Sequence, residues 1–134
     1  MKLKKTSTQL VEEAQKEVKI LTPQEAKDLL EKNNPKPLLF DIRDPRELEK
    51  TGTVKDAINM PRGVIEFWLD PESPYYKGYP LETPKIFFCK SNWRSAITVK
   101  FIQDQMGIDN ISVIEGGFVN MIKEGVFKIE LFKI

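Results

Sequence analysis

Cys89 is the one cysteine of the chain, and it is followed by Lys90, Ser91, Asn92, Trp93, Arg94 and Ser95. A thiol becomes a strong nucleophile on ionisation, and helix N-termini, inward-pointing backbone N–H groups and nearby cations all favour the thiolate. The apolar run ending at Cys89 reads as a buried strand and Arg94-Ser95 as the opening of a helix, so the thiol falls at the carboxyl end of a strand, where α/β sheets bind ligands. A tight loop there would point several N–H groups inward, and Lys90 and Arg94 would add positive charge. Such a cradle suits an anionic group carried on sulfur, either a persulfide or a phosphoryl group, in a mechanism with one covalent intermediate. Asn92 is suited to a left-handed position in the loop. Set against this is a plain reading of Cys89 as a small, inert buried residue. Arg94 weighs against that reading, because a cation at a helix start opposes the dipole unless an anion is near.

The chain contains no histidine, which removes Ser-His-Asp triads, Cys-His pairs and His-ligated metals. A single cysteine excludes an intramolecular disulfide, a Cys-x-x-Cys pair and a thiolate-built metal site. No cofactor is implied. The 134 residues make one domain, and 21 Lys and Arg against 20 Asp and Glu leave a net charge of +1, with no electrostatic footprint for nucleic acid or an acidic membrane. The basic start, MKLKKTST, runs into VEEAQKEVK rather than the apolar stretch of about 7–15 residues that a signal peptide needs. No run approaches the roughly 18–20 apolar residues of a membrane span. A cytoplasmic protein is expected.

The elements that must position Cys89 alternate between helix and strand. Residues 8–19 place Leu10, Val11, Ala14 and Val18 on one stripe of an amphipathic helix. Thr22-Pro23-Gln24-Glu25 is a capping box with proline at the first helical position, and Asn33-Asn34-Pro35 ends that helix. A buried strand over 37–42 leads to Asp44-Pro45-Arg46-Glu47, a second box, with Gly52 at the left-handed C-terminal position of its short helix. Residues 57–60 read as a strand and 64–69 as a helix. From Asp70 to Pro84 four prolines and three tyrosines mark an ordered loop. Strand 85–89, helix 95–106 closed by Gly107, strand 111–114 and a helix from Phe118 complete the chain, and residues 126–134 are left between strand and arm. The expectation is an α/β fold with a mainly parallel sheet flanked by helices on both faces.

With these blocks in place, the chain resembles a single-domain rhodanese-like sulfurtransferase. The resemblance rests on four ordered segments: Asp41-Ile42-Arg43; Gly52 through Pro61; Cys89 through Ser95; and Glu115-Gly116-Gly117-Phe118. The stretch from Pro61 through Tyr75 is similar to an insertion in a bacterial subgroup. The implied organisation is an N-terminal helical extension over 1–21, a rhodanese-like domain over 22–127 and a C-terminal tail over 128–134. The implied activity is uptake of a sulfane sulfur by Cys89, from thiosulfate or a persulfide donor, and its transfer to cyanide, a thiol or a protein acceptor. Lys90 and Arg94 would hold the anionic donor, the amides from Lys90 through Ser91, Asn92 and Trp93 to Ser95 would hold the persulfide, and Trp93 would wall the loop or pack on the insertion. Asp41 and Arg43, at a strand's carboxyl end, read equally as an ion pair bracing the loop and as a plain helix-cap network, Arg62 near the mouth reads as a solvated surface residue ahead of a donor or acceptor contact, and Gly116-Gly117 would serve a tight turn.

The chain departs from the family where Gly-His-Ile-Pro-Gly-Ala is usual, having Gly52-Thr53-Val54-Lys55-Asp56-Ala57, and where Asn92 replaces a common glycine. Two other readings remain. A phosphatase of this fold uses Cys-x5-Arg, one residue longer than the Cys-x4-Arg here, and a smaller cradle suits one sulfur better than a phosphoryl group. A non-catalytic binding or regulatory module is the other, although such modules usually lose the cysteine. A lone reactive cysteine would also serve as an oxidation sensor.

Overall fold

Three helices start on the same device. In the computed structural model, which describes residues 1–132, α1 (Ser7–Glu17) is capped by Thr6 with Gln9, α2 (Pro23–Lys32) by Thr22 with Glu25, and α3 (Pro45–Thr51) by Asp44 with Glu47. In α2, Glu25 N–H donates to Thr22 Oγ1 at 3.1 Å and Thr22 N–H to Glu25 Oε1 at 2.9 Å, so two helix-start donors are satisfied reciprocally. We predict that Thr22→Ala costs about 1 kcal/mol and that Thr22→Ser restores most of it, measured by urea unfolding. An unchanged midpoint in Thr22→Ala would show that packing alone sets this helix start.

The strands are β1 (Lys19–Leu21), β2 (Leu38–Asp41), β3 (Thr53–Val54), β4 (Ile58–Asn59), β5 (Lys85–Phe88), β6 (Ile111–Ile114) and β7 (Ile129–Glu130). Five form one sheet in the order β1-β6-β5-β2-β4, every pairing parallel. Helices α4 (Ile65–Leu69), α5 (Trp93–Phe101) and α6 (Gly117–Glu124) complete the order. Alternation along the strands sends Phe40, Phe87 and Cys89 into a core with Ala14, Ile65 and Val99 on one face. Leu39, Ile86 and Phe88 go into a second core with Ala26, Phe118 and Met121 on the other. The expected layered α/β fold is therefore present, with β5 central.

Several local expectations change. β1 was not foreseen, and β3 pairs antiparallel with β7, giving residues 129 and 130 a strand pairing; positions 133 and 134 of that terminal stretch lie outside the described residues. Gly52 has φ 78° and ψ −177°, not the left-handed pair expected, because the chain turns straight into β3. A Cβ there would stand 2.7 Å from the Glu130 carbonyl oxygen. Leu10 is exposed while Val11, Ala14 and Val18 are buried, so α1 docks on a narrower stripe than its sequence suggests. The helix following Cys89 passes into a π-helical stretch, Ile102–Met106, before Gly107 ends it with φ 73°.

The 70–84 segment is pinned, as its aromatics implied. Tyr79 meets Phe40 edge to face at 5.1 Å, and Lys85, 1% exposed, donates from Nζ to the carbonyls of Pro80, Leu81 and Thr83 at 3.1, 3.2 and 2.7 Å. Burial lowers the Lys85 pKa from its ordinary value.

Candidate functional site

The carboxyl ends of β2, β5 and β6 converge on one edge of the sheet, and each delivers one segment of the site. β5 delivers Cys89, 1% exposed. Beyond it Lys90 and Ser91 are exposed and Asn92 is buried, the last with φ 69° and ψ 21°, the left-handed geometry expected of it. That turn brings Ser95 back beneath the sulfur: its N–H points to Cys89 Sγ at 3.4 Å and its Oγ lies 3.3 Å from Sγ. Ser95 Oγ donates to Asn92 Oδ1 at 2.7 Å. A hydroxyl has one proton, so with that proton on Asn92 the thiol donates to Ser95 Oγ. After ionisation the hydroxyl can turn, and it joins the Ser95 N–H as a donor to the thiolate. Asn92 and Ser95 thus act through side chains as well as backbone, which sequence reasoning missed.

β6 delivers the second segment. The first N–H groups of α6 have no partners within the helix, and they are spent on the cysteine loop: Phe118 N–H donates to the Cys89 carbonyl at 2.8 Å and Val119 N–H to the Lys90 carbonyl at 3.1 Å. Gly117 makes this approach possible. A Cβ on Gly117 would lie 2.4 Å from the Cys89 carbonyl oxygen, against backbone that cannot turn aside, and its φ is 59°. The glycine read as a turn residue is thus also a contact residue of the loop. We predict that Gly117→Ala destabilises the fold by about 1–3 kcal/mol and raises the alkylation rate of Cys89 by iodoacetamide as the loop is pushed off. An unchanged melting temperature and alkylation rate would mean that the helix shifts freely.

β2 delivers the third. Asp41 and Arg43 are 0% and 1% exposed. Arg43 Nη2 donates to Asp41 Oδ2 at 2.8 Å and Nε to Oδ1 at 3.0 Å, while Nη1 reaches Thr51 Oγ1 at 3.0 Å and Nη2 the Gly52 carbonyl at 3.2 Å. The guanidinium also lies 4.0 Å from the centre of the Phe118 ring. Its link to the cysteine loop therefore runs through Phe118, whose N–H holds the Cys89 carbonyl. Thr53, standing where the family usually has histidine, donates to Asp41 Oδ2 at 3.1 Å, and Asp56, where glycine is usual, takes φ 69°. Thr53 is thus held in the buried network, while Lys55 and Asp56 face outward.

Arg94 differs most from expectation. It does not stand as an unpaired cation at the helix start: Nη1 and Nη2 donate to the two oxygens of Glu47, at 2.7 and 3.0 Å. The anion that its position demands is supplied from α3. Arg94 holds the Glu47 carboxyl below its usual range, and Glu47 raises the Arg94 pKa. The sequence signal for Glu47 was its place at the third helical position of a capping box, three residues after Asp44, which fixes its backbone and says nothing of a partner 47 residues away.

Lys90 has no ion pair among the described residues. Trp93 is 52% exposed and Tyr75 66%, while Tyr79 packs on Phe40. Arg62 donates to Glu66 at 2.8 Å and lies 5.5 Å from the Phe101 ring; among the described residues no hydrogen bond joins it to the Cys89 loop. A cavity of about 230 Å³ lined by Leu30, Leu38, Ile58 and Phe127 lies at the first residue of β2, the opposite end of the sheet from Cys89.

With the geometry set out, known proteins can be compared. A family model described as Rhodanese-like domain matches residues 22–124. No curated protein matches. Among solved structures, the chain is similar to a Rhodopseudomonas palustris protein of unknown function described as a possible tyrosine phosphatase, at 34% identity and TM-score 0.86 over 97% of this chain and 98% of that one. It is similar to the polysulfide-sulfur transferase homodimer of Wolinella succinogenes at 32% identity and TM-score 0.69, covering 86% and 80% of the two chains. A single-domain sulfurtransferase from Saccharomyces cerevisiae matches at 26% identity and TM-score 0.64, covering 81% and 92%.

Proposed function

The chain belongs to the rhodanese-like domain family, and from that premise we propose that it transfers a sulfane sulfur through a persulfide on Cys89. The observation that carries this reading is the sulfur's setting: the end of the central strand, with the Ser95 N–H and hydroxyl at 3.4 and 3.3 Å and a Cys-x4-Arg loop around it. The Cys89 thiolate attacks the outer sulfur of thiosulfate, the sulfur–sulfur bond of the donor breaks, and sulfite leaves with the bonding electrons. The persulfide anion then offers its terminal sulfur to cyanide or to an acceptor thiolate, low in molecular weight or on a protein, and the Cys89 thiolate returns. The Ser95 donors at 3.4 and 3.3 Å support stabilisation of both anions, the amides of the loop from Lys90 to Trp93 would add to it, and Lys90, without an ion pair among the described residues, would supply a cation. Arg62, held by Glu66, is left with at most an outer part in donor approach. No resident cofactor enters the scheme.

We take residues 22–127 as the transferase unit, with α1 as an extension laid on α5 and the last residues as a tail. A working free thiol fits a reducing compartment, so we place the protein in the cytoplasm. Among the described residues no helix is long and apolar enough to cross a membrane.

Phosphatase activity is the second reading, favoured by the description of the Rhodopseudomonas relative. The short loop and the engagement of Arg94 by Glu47 weigh against it, since phosphoryl transfer places charge on three equatorial oxygens that need donors. A purely docking role leaves the Cys89–Ser95 arrangement without a use.

The test is intact-protein mass after thiosulfate and desalting, then after cyanide. The expected result is a gain of one sulfur atom that cyanide removes, with no release of phosphate from an aryl phosphate. Absence of sulfur uptake from thiosulfate, an arenethiosulfonate and polysulfide, with Cys89 still open to alkylation, would overturn the reading.

A further inference from the structure

We propose that Glu47 is a specificity-determining residue: by occupying Arg94 it turns the Cys89 site away from doubly charged donors such as thiosulfate and toward donors with a single negative charge, thiosulfonates and thiol persulfides. The proposal rests on the sulfurtransferase reading. Arg94 is bound by both Glu47 oxygens, at 2.7 and 3.0 Å, the paired fork geometry that makes guanidinium–carboxylate contacts strong. Glu47 is itself held, since its Oε2 also accepts the Asp44 N–H at 3.0 Å as part of the α3 capping box. The carboxylate therefore sits in a fixed place beside the loop.

The charge balance follows. Lys90 and Arg94 bring two positive charges to the loop, and Glu47 and the Cys89 thiolate offset both, whereas without Glu47 one positive charge would remain to meet the donor. Each negative charge on the donor then meets the Glu47 carboxylate without a free cation to answer it, so a donor with one negative charge is disfavoured less than one with two. A dianion gains Arg94 only if it displaces Glu47 from it, which breaks a charge-assisted pair and leaves the carboxylate facing the incoming anion. Both donors react with balanced chemistry at Cys89: thiolate and thiosulfate give persulfide and sulfite, and thiolate and thiosulfonate give persulfide and sulfinate, the sulfur–sulfur bond breaking toward the leaving group in each.

Glu47→Gln tests this without removing the helix cap, because glutamine serves in the same box. The expected result is a fall of about fivefold in KM for thiosulfate, carried by KM rather than kcat. For benzenethiosulfonate the change is under about twofold, and rising salt diminishes the contrast. The gain should vanish in the double variant Glu47→Gln/Arg94→Ala, which shows that it acts through Arg94. Glu49→Gln, one exposed carboxylate further along α3, removes the same charge and should leave both donors unchanged. An unchanged thiosulfate KM in Glu47→Gln, an equal fall for both donors, or a gain that survives loss of Arg94 would overturn the proposal. Failure of wild type to take sulfur from thiosulfate, benzenethiosulfonate and polysulfide, with Cys89 still open to alkylation, would instead overturn the transferase reading.

Discussion

A Cys89→Ser chain loads no sulfur from thiosulfate or thiosulfonate, and its transfer rate to cyanide falls by roughly a thousandfold or more. A serine hydroxyl beside Ser95 stays protonated and is a poor nucleophile toward sulfur, and no second thiol exists in the chain to replace it. The fold should survive, because oxygen for sulfur is a small change and the neighbours at 3.3 and 3.4 Å are polar groups that bond a hydroxyl equally well. Far-ultraviolet circular dichroism and a thermal melt establish that, and intact mass with coupled thiocyanate formation reads the loss. A Cys89→Ser protein that still makes thiocyanate at the wild-type rate would place the transferred sulfur elsewhere.

Arg43→Met lowers stability by about 3–5 kcal/mol. The side chain is methionine-sized up to its head group, so packing against Phe118 is partly retained and the dominant loss is electrostatic. Asp41, 0% exposed, keeps the Thr53 hydroxyl and the Arg43 N–H but loses all three guanidinium bonds, and a carboxylate without its counter-charge remains in the interior. The acceptors Thr51 Oγ1 and the Gly52 carbonyl lose their donors as well. Urea unfolding measures the change, and the double variant Asp41→Asn/Arg43→Met should regain part of it, because the stranded charge is gone. A loss below about 1 kcal/mol in Arg43→Met would mean that water replaces the guanidinium, and the pair would then act as a surface contact rather than a buried brace.

What was legible in the sequence has local cues. A capping box needs four consecutive residues, so the starts of α2 and α3 could be read directly, and an apolar run ending on cysteine marks β5. Asn92 was legible because few residues tolerate its backbone conformation. What escaped depends on distance. β1 is three residues, Lys19-Ile20-Leu21, with the exposure pattern of an edge, and only its pairing with β6 makes it a strand. β3 and β7, two residues each, exist only as partners. Glu47 declared its helix cap, while its grip on Arg94 comes from the approach of α3 to α5, which no spacing rule contains. Gly117 was read for its turn; its approach to the Cys89 carbonyl is a property of two loops meeting.

The place of β1 in the sheet has a temporal consequence. Lys19 is paired with Ser112 and Leu21 with Ile114, so a segment made early in synthesis has its sheet partner more than ninety residues later. At a ribosomal rate of about 5–20 residues per second, the edge waits roughly 5–20 s, with α1 and β1 emerged and unpaired. During that interval the apolar stripe of α1 lacks α5 as well. The nascent chain therefore carries an unpacked amphipathic segment, too short to hold a stable helix alone, and an open strand until β6 is made, which marks the stretch spanning α1 and β1 as one on which a chaperone would act.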